Sequence, residues 1–566
     1  MNKTIFSGIH REAILEETQN EQFDLIVIGG GITGAGIALD ATARGLKVML
    51  VEKKDFAWGT SSRSTKLIHG GLRYLKQLEI RLVREVGLER AIVHQNARHI
   101  VIPEKMLLPI IEGGELGKMT SSVALWVYDY LADVDKEERR KMLSKEETLK
   151  HEPLLREDVL KGGGIYYEYR TDDARLTIEN LKSARARGAK SINYTEAVEY
   201  FYENGKISGV RVKDHFTNKL YDFKAKKIVN ATGPWVDEVR GLDDAKLGKK
   251  RLHLTKGVHV VVPYEKLPIQ QAVYFDVDGD SRMVFAIPRG RVTYVGTTDT
   301  TYKSETDEPY TTKSDVEYVL AAANYMFPNT NLTADDVVST WAGLRPLIHQ
   351  QGKDPSELSR KDEIFYAESG LISIAGGKLT GYRKMAERVV NEVVKFLQKE
   401  NPDQYKNLQP CTTAKIQLSG GEFDSQRALE TFIIKRIGEV KQIGLKENHV
   451  IDLVYKYGTN VDIIIEKAYE LYAEISDAEQ RIQVAEMWYG IHYEMCNNLC
   501  DYLVRRTGRL YFERDSLAKL YPFIADEMAK EFGWNEAQKA AAIAEFEKEY
   551  MEVVTFNKEE KLATTL

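Results

Sequence analysis

The chain has 566 residues, of which 43% are hydrophobic and 29% are charged. This length exceeds one core of ordinary size, so we expect two or three domains. The formal charge of −6 is unlike that of a chain that coats nucleic acid. The three cysteines contain no C-x-x-C pair, which argues against a disulfide scaffold or a zinc ribbon. We therefore expect a globular protein with no metal site and no nucleic-acid partner.

The N-terminal segment, residues 1–22, is polar and lacks an apolar run followed by a small-residue cleavage site, so no secretory signal is expected. No run of about 18 apolar residues, the length of a spanning helix, occurs in the sequence. The sequence therefore predicts a cytoplasmic protein. Peripheral contact with the inner face of the cell membrane stays open, because a surface patch assembled from distant segments leaves no linear pattern. A homodimer also stays open.

The first elements have the pattern of a βαβ unit. Residues 23–28 are apolar and favour a strand, residues 29–36 form a glycine-rich turn, and residues 37–44 favour a helix that ends near Gly45. A second strand, residues 46–51, ends at Glu52. The chain therefore starts with the framework of a dinucleotide-binding domain.

Strand patterns dominate the middle of the chain and helical patterns its last third. A hairpin turn is predicted at Asn204-Gly205, and residues 251–300 favour strands that we assign to a substrate-binding domain. From about residue 421 the apolar spacing becomes helical, as in the set Val484, Trp488, Ile491, Met495 and Leu499. Asn535, with Gln538 three residues later, predicts a capping box that opens the last helix.

The glycine-rich turn fits the dinucleotide-binding fingerprint G-x-G-x-x-G. Such a turn lets the backbone approach a pyrophosphate at a helix N-terminus. Glu52 lies eighteen residues after the last glycine, at the end of the second strand, where a carboxylate accepts hydrogen bonds from the adenosine ribose. The residues expected to bind the cofactor here are Gly29, Gly31, Ile32, Thr33, Gly34 and Glu52.

A second polar segment favours FAD over NAD. Residues 59–66, which we call the hydroxyl-rich loop, contain many small hydroxyl side chains suited to surround a pyrophosphate and a ribityl chain. An NAD site rarely needs such a second loop. The cofactor-binding candidates in it are Thr60, Ser61, Ser62, Ser64, Thr65 and Lys66.

Four motifs together resemble those of FAD-dependent glycerol-3-phosphate dehydrogenases: GGGITGAG at 29–36, SSRSTKLIHGGLRY at 61–74, ATGPW at 231–235 and GGKLT at 376–380. The resemblance implies an α/β fold with three parts. These are a Rossmann-like FAD-binding domain of the glutathione-reductase or D-amino-acid-oxidase type (1–90, 170–250 and 350–400), a mixed-sheet substrate domain (91–169 and 251–349) and a helical C-terminal domain (401–566). It also implies further FAD contacts at Leu67, His69, Ala197, Val198, Thr232, Gly233, Trp235, Gly377, Lys378, Leu379 and Thr380.

The resemblance places four residues at a substrate site, namely Arg73, His259, Arg345 and Lys378, and His69 is a further candidate base whose first expected contact is with the flavin. Arginine binds phosphate oxygens bidentately, whereas lysine adds a compact charge. Arg345 lies between Gly343 and Pro346, which predicts a fixed turn rather than a helix. A neutral imidazole suits proton acceptance near neutral pH, so His259 is the first candidate base. His69 and Lys378 remain alternatives.

The resemblance implies oxidation of sn-glycerol 3-phosphate to dihydroxyacetone phosphate by hydride transfer to flavin N5, with a quinone as the electron acceptor. Three alternatives stay open. One is a glycerol-3-phosphate oxidase that uses oxygen. Another is an amine or amino-acid oxidase on the same scaffold, because the FAD fingerprint does not fix the substrate. The third is a non-catalytic flavin-binding sensor.

Overall fold

A computed structural model describes residues 6–69, 80–114, 140–243, 251–280, 282–348 and 361–556. Its strands are β1 (Gln22–Ile28), β2 (Val48–Val51), β3 (Leu67–Ile68), β4 (Val101–Ile111), β5 (Lys141–Leu143), β6 (Leu160–Thr171), β7 (Lys190–Ile192), β8 (Thr195–Glu203), β9 (Lys206–Asp214), β10 (Leu220–Asn230), β11 (Leu252–Pro263), β12 (Ala272–Asp276), β13 (Met283–Arg289), β14 (Val292–Gly296), β15 (Thr300–Thr301), β16 (Ser339–Ile348), β17 (Glu363–Tyr366) and β18 (Ile372–Ala375).

The α-helices are α1 (Arg11–Thr18), α2 (Ile32–Ala43), α3 (Ile80–Asn96), α4 (Lys145–His151), α5 (Asp173–Arg185), α6 (Val236–Arg240), α7 (Lys313–Met326), α8 (Tyr382–Glu400), α9 (Pro402–Tyr405), α10 (Gln426–Val440), α11 (Glu447–Tyr457), α12 (Val461–Glu470), α13 (Ala478–Tyr493), α14 (Arg509–Phe512), α15 (Arg514–Phe532) and α16 (Glu536–Glu552). A π-helical turn spans Asp501–Arg506. Short 3₁₀ turns lie at Thr60–Ser62, Gly233–Trp235, Ala334–Asp336, Leu379–Gly381, Thr413–Lys415, Lys441–Ile443, Gly458–Asn460 and Leu471–Ala473. None of the helices among the described residues is long and apolar enough to cross a bilayer.

The first sheet contains the predicted βαβ unit. Its strand order is β17-β18-β10-β1-β2-β7, and the hairpin of β8 and β9 joins it through β10. The strands β18, β10, β1, β2 and β7 run parallel, and β1 is buried from Leu25 to Ile28. Helix α2 approaches α8 closely at Gly36, where an added Cβ would lie 3.0 Å from the Tyr382 ring. The predicted hairpin turn is confirmed, with Asn204 and Gly205 both at positive φ.

The second sheet is mostly antiparallel and faces the first across the cavity described below. Its order is β15-β11-β14-β13-β12-β4-β6-β3, with β16 paired to β11 and β5 to β6. The strands predicted on both sides of Arg289 and Gly290 form the β13–β14 hairpin. The mixed sheet that the sequence predicts is therefore confirmed, and the two sheets with their helices agree with the predicted α/β fold class.

The strands of the two sheets alternate along the chain. The first sheet takes residues 22–51, 190–230 and 363–375, and the second takes 67–171 and 252–348. Strand β3 belongs to the second sheet, although it lies inside the segment 1–90 that we assigned to the FAD-binding domain. The domain limits themselves stay a prediction.

The last third of the described chain is helical, as predicted, and the capping box of Asn535 and Gln538 opens α16. The predicted continuation of α13 through Met495 is wrong, because the helix ends at Tyr493 and Met495 has φ 50°. Met495 leaves the helix to pair with the N-terminal segment, where its N–H donates to the Phe6 carbonyl oxygen at 3.0 Å. Apolar spacing does not show such a break, since Met495 is fully buried although it lies outside the helix.

Buried ion pairs join the helical part to the nucleotide-binding part. Asp55, just after β2, accepts hydrogen bonds from Arg505 at 2.6 Å and from Arg506 at 2.7 and 2.9 Å. Arg175 on α5 binds Glu494 through two bonds of 2.6 and 2.7 Å. Losing one partner of such a pair leaves a buried charge uncompensated, so this interface depends on both sides being present.

His99 lies in the same region without a hydrogen-bond partner for either ring nitrogen among the described residues. It is 0% exposed, and burial, with Arg175 and Lys182 nearby, lowers its pKa to about 3. Between pH 3 and its unfolded pKa of about 6.5, only the unfolded chain takes up this proton. Folding stability is therefore lost as pH falls through this window.

We expect the melting temperature of the wild-type protein to fall more steeply between pH 7 and pH 5 than that of a His99→Leu variant. The difference reflects up to about 1.4 kcal/mol of unfolding free energy per pH unit. Thermal denaturation monitored by circular dichroism measures it, and the exposed His10→Leu variant is the control. An equal pH dependence of the melting temperature for wild type and His99→Leu would show that folding does not lower the pKa of His99.

Candidate functional site

A cavity of about 520 Å³ lies between the two sheets. One wall is formed by residues that follow the carboxyl ends of the parallel strands β1, β2, β10 and β18, the edge at which ligands bind in open α/β sheets. The opposite wall comes from β6, β11, β13 and β16 of the second sheet. A ligand in this cavity contacts both sheets.

The glycine-rich turn passes from β1 into α2 at one end of the cavity. Gly29 has φ 111°, a conformation that favours glycine. A Cβ at Gly34 would overlap the Gly29 carbonyl oxygen, so this glycine lets the helix pack on the turn. The arrangement leaves the N-terminus of α2 facing the cavity, which is suited to a phosphate group.

Glu52 follows β2 and holds the turn from the side. Its Oε2 accepts a hydrogen bond from the Gly30 N–H at 2.6 Å, and its Oε1 accepts one from the Lys54 N–H at 2.8 Å. Burial raises the pKa of Glu52, while these two backbone hydrogen bonds oppose the shift. A carboxylate has about four acceptor positions, so Glu52 keeps capacity for ribose hydroxyl groups.

The hydroxyl-rich loop is fixed to both sheets. Ser61 Oγ accepts a hydrogen bond from the Ile32 N–H at 2.9 Å, which ties the loop to the start of α2. Thr60 Oγ1 donates to the Leu344 carbonyl oxygen on β16 at 2.6 Å. Asp173 accepts hydrogen bonds from Ser64 Oγ and Lys66 Nζ, both at 2.6 Å. These bonds within the protein fix the position of the loop.

His259 lies on β11 between Gly296 of β14 and Trp341 of β16. The imidazole stacks on Trp341, with ring centroids 4.8 Å apart and an angle of 11° between the planes. A Cβ at Gly296 would overlap the imidazole, so glycine provides the space. Burial, with Arg345 and Lys66 nearby, holds the pKa of His259 well below its usual value. The ring is therefore neutral at physiological pH.

Arg345 lies in β16 opposite Thr255, so the predicted turn at this residue is wrong. Pro346 restricts its neighbour to extended conformations, and a strand satisfies that restriction as well as a turn does. The guanidinium donates to the Thr298 carbonyl oxygen and to Asp299 Oδ1, both at 3.1 Å, and to Thr297 Oγ1 at 3.0 Å. These bonds aim the cation at the cavity, which it lines.

The other end of the cavity is formed by the GGKLT segment and by His69. Gly376 and Gly377 have φ values of 77° and 81°, and a Cβ on Gly377 would overlap Met385. Thr380 Oγ1 bridges the backbone N–H and carbonyl oxygen of His69, each at 3.1 Å. Lys378 also lines the cavity here. The glycines therefore let this segment pack closely on Met385 while residues 376–380 line the cavity.

Two family models match the sequence. Residues 24–383 match the FAD dependent oxidoreductase family, and residues 411–539 match the C-terminal domain of alpha-glycerophosphate oxidase. The chain belongs to the FAD-dependent oxidoreductase family. The prediction of FAD as the cofactor, made from the glycine-rich turn and the hydroxyl-rich loop, is confirmed by this membership.

Similar proteins of nearly the same length are aerobic glycerol-3-phosphate dehydrogenases. The one from Bacillus subtilis (strain 168) is 51% identical over 535 residues, which cover 94% of this chain and 96% of that protein. One from Staphylococcus aureus (strain USA300) is 50% identical, with 96% of each chain covered. The crystal structure of the glycerol-3-phosphate dehydrogenase from Bacillus halodurans complexed with FAD is 45% identical, with a TM-score of 0.83 over 98% of this chain and 99% of that one.

Most residues that the sequence marks for the cofactor of this FAD-dependent oxidoreductase line the cavity. These are Gly29, Gly31, Ile32, Thr33, Glu52, Thr60, Ser61, Ser64, Thr65, Leu67, His69, Ala197, Thr232, Gly233, Trp235, Gly377, Lys378, Leu379 and Thr380. Of the substrate-site candidates, His259, Arg345, Lys378 and His69 also line it. Arg73 lies outside the described residues.

Four predicted cofactor residues do not line the cavity. Gly34 packs the helix on the turn, and Ser62, 2% exposed, points to the backbone of its own loop. Lys66 is 3% exposed and bound to Asp173, and Val198 is the neighbour of the lining residue Ala197. Their spacing in the motif identified the right segment but not the side chains that face the ligand. Direct FAD contacts by these four stay a prediction.

Sequence reasoning missed several residues of the cavity. Arg63 stacks on Trp58 with its guanidinium carbon 4.4 Å from the ring centroid, and its Nη1 has no hydrogen-bond partner in the described part of the chain. Asp307 joins the two walls, because it accepts hydrogen bonds from Trp235 Nε1 at 2.5 Å and from Lys53 Nζ at 2.9 Å. Arg63 stands inside the hydroxyl-rich loop and was identifiable, whereas Asp307 is 254 residues from Lys53 and has no motif.

The groups that line the cavity match the groups of FAD that have to be bound. The cavity offers a helix N-terminus, Glu52 beside the turn, and Arg63 Nη1, which has no partner within the described ranges and can bind an anionic group. We expect Glu52→Gln to raise the dissociation constant of FAD about 10- to 150-fold, because it removes charge-assisted hydrogen bonds worth about 1.5–3 kcal/mol. Flavin fluorescence on titration of the apoprotein measures this, and the exposed Glu199→Gln is the control. Unchanged affinity would place Glu52 outside the FAD site.

Proposed function

We propose that this protein oxidises sn-glycerol 3-phosphate to dihydroxyacetone phosphate. The observation that carries the proposal is the identity of about half of all residues, over nearly the full length, with aerobic glycerol-3-phosphate dehydrogenases. The cavity supports it, because an FAD-binding wall faces a wall that carries His259 and Arg345. Bound FAD supplies the hydride acceptor for this reaction. The chain's own residues bind, orient and deprotonate the substrate.

The cofactor is held by the first sheet and the hydroxyl-rich loop. Glu52 accepts from the adenosine ribose, the N-terminus of α2 and Arg63 face the pyrophosphate, and residues 376–380 lie beside the flavin ring. None of these contacts needs a covalent bond. Acid precipitation is therefore expected to release the flavin into the supernatant.

The phosphate of the substrate binds Arg345, with Lys378 and Arg73 as further cationic groups. Arg345 suits this role because Asp299, the Thr298 carbonyl oxygen and Thr297 Oγ1 hold its guanidinium in place at the wall of the cavity. A guanidinium group that is already held in place loses little conformational entropy when it binds an anion. Amine and amino-acid oxidases bind a carboxylate instead, so a strict need for the phosphate separates the proposed reaction from theirs.

The proton of the substrate hydroxyl group goes to His259. The neutral state of this ring favours the assignment, since only a neutral imidazole accepts a proton. His69 and Lys378 line the same cavity and are the alternative acceptors. The variants His259→Ala, His69→Ala and Lys378→Ala distinguish these three candidate proton acceptors.

We also propose that a quinone takes the electrons from the reduced enzyme. The enzyme would then work in the cytoplasm, in contact with the inner face of the membrane where quinones reside. A homodimer remains part of this proposal and is measured by light scattering. With oxygen as the acceptor, the protein would instead release one hydrogen peroxide for each glycerol 3-phosphate oxidised.

Product analysis tests the proposed function. Purified protein, glycerol 3-phosphate and an artificial electron acceptor are expected to give dihydroxyacetone phosphate, detected by a coupled assay. A quinone analogue should support faster turnover than oxygen. Turnover with amino acids but not with glycerol 3-phosphate would point to an amino-acid oxidase. Absence of turnover with every small alcohol and amine would point to a flavin-binding sensor.

A further inference from the structure

His259 has almost no surface with which to meet a substrate directly. Its side chain is 1% exposed, with Trp341 stacked on it and Tyr294 at 6.3 Å between ring centroids. Its Nδ1 is enclosed and has no hydrogen-bond partner among the described residues. A substrate proton therefore needs another group to reach this ring.

The hydroxyl group of Thr65 lies at the remaining nitrogen. Thr65 Oγ1 is 3.0 Å from His259 Nε2, within hydrogen-bond distance. Thr65 is half-buried and His259 is only 1% exposed, although both line the cavity. The Thr65 hydroxyl group is therefore the more accessible end of this hydrogen bond.

The same aromatic residues that enclose His259 also hold Thr65. The Tyr294 hydroxyl group donates to the Thr65 carbonyl oxygen at 3.1 Å, and Trp341 Nε1 donates to the Ser64 carbonyl oxygen at 3.1 Å. The hydroxyl-rich loop and β11 are therefore fixed relative to each other at this point. A fixed donor–acceptor geometry of this kind is what a rapid proton transfer requires.

We propose that Thr65 is a catalytic residue that relays the substrate proton to His259. The inference rests on the proposed oxidation of glycerol 3-phosphate. The O–H bond of the substrate breaks and its proton passes to Thr65 Oγ1, while the Thr65 hydroxyl proton passes to His259 Nε2. The two electrons of the C2–H bond leave with that hydrogen as hydride to bound FAD. Thr65 ends as it began, and His259 ends as an imidazolium ion.

Burial is the main cost of an imidazolium ion at His259, and the cations Arg345 and Lys66 add to that cost. Both have carboxylate partners, because Asp299 lies 3.1 Å from Arg345 and Asp173 lies 2.6 Å from Lys66. The relay also fixes the tautomer, since Nε2 must be free to accept and the resting proton must therefore be on Nδ1.

The relay is tested by removing the hydroxyl group while keeping the shape of the side chain. In anaerobic stopped-flow mixing with glycerol 3-phosphate, we expect Thr65→Val to lower the limiting rate of flavin reduction at least about 30-fold, and Thr65→Ser to restore it to within about threefold of wild type. The dissociation constant of glycerol 3-phosphate, taken from the concentration dependence, is expected to stay within about threefold.

A double-mutant cycle separates a relay from a packing role. If the two groups act in series, Thr65→Val combined with His259→Ala is no more than about threefold slower than the slower single variant. Thr340→Val is the matched control, because it removes a buried threonine hydroxyl group beside Trp341 that binds the Val553 carbonyl oxygen instead. Flavin content and melting temperature are measured for each variant, and Thr65→Ala replaces Thr65→Val if the latter does not fold.

The relay is overturned if Thr65→Val reduces flavin within about threefold of the wild-type rate, or if the effects of Thr65→Val and His259→Ala multiply. A failure of the proposed function gives a different result. In that case glycerol 3-phosphate does not reduce the flavin of the wild-type protein, so the rates of the variants cannot be compared with a wild-type rate.

Discussion

Replacing His259 by alanine is expected to lower the rate of flavin reduction by glycerol 3-phosphate about 10²–10⁴-fold, the usual contribution of a positioned base. The reason is that the buried, neutral imidazole takes up the proton that the substrate hydroxyl group loses as hydride leaves. Anaerobic stopped-flow absorbance measures the rate directly. FAD content should stay close to that of wild type, because His259 belongs to the opposite wall of the cavity.

The pH dependence of the same rate provides a second readout. A base works when it is unprotonated, so activity falls as pH drops through its pKa. Because burial and the nearby cations hold the pKa of His259 well below its usual value, the wild-type rate should show no acidic limb near pH 6.5. His253→Ala, on the same strand, is the control. The alanine variants of the other two candidates test the assignment itself. If the rate of flavin reduction is unchanged in His259→Ala but falls in His69→Ala or Lys378→Ala, the proton acceptor is one of those two residues.

Replacing Arg345 by alanine is expected to lower kcat/KM for glycerol 3-phosphate about 30- to 1000-fold, mostly through a higher KM. A partly desolvated, charge-assisted contact to phosphate is worth on the order of 2–4 kcal/mol, and substrate capture depends on it. Steady-state kinetics with an artificial acceptor measure both constants.

Two controls test whether the effect of Arg345→Ala comes from lost phosphate binding. Arg291→Ala removes an exposed arginine next to the β13–β14 hairpin and should leave KM unchanged. Glycerol, which has no phosphate, should react equally slowly with wild type and Arg345→Ala. An equal loss with glycerol would mean that Arg345 supports the fold of the cavity through Asp299 rather than binding phosphate.

The local parts of the fold were predictable because their residues interact with near neighbours in sequence. The glycine-rich turn, the strand that ends at Glu52 and the capping box at Asn535 each depend on fewer than about 25 consecutive residues. The break at Met495 was not predictable, because it depends on Phe6, which is nearly 500 residues away in sequence. Contacts at such separations determine where a helix ends, and no periodicity encodes them.

The candidate site was also predictable only where it depends on local sequence. The motifs identified the segments that line the cavity, but they did not show that Lys66 turns away to Asp173 or that His259 is enclosed. Both facts depend on how the second sheet packs on the hydroxyl-rich loop. The bridge from Asp307 to Lys53 and the pairing of Arg345 with Asp299 also join residues that are distant in sequence, 254 and 46 positions apart.

Anaerobic mixing of the purified yellow protein with glycerol 3-phosphate tests the central claim most directly. We predict that the flavin absorbance bleaches within the mixing experiment, that dihydroxyacetone phosphate forms in a one-to-one ratio with reduced flavin, and that glycerol without phosphate bleaches it far more slowly. Flavin that stays oxidised with glycerol 3-phosphate but bleaches with dithionite would contradict the account, because the cofactor would then be bound and reducible while the proposed substrate is not its reductant.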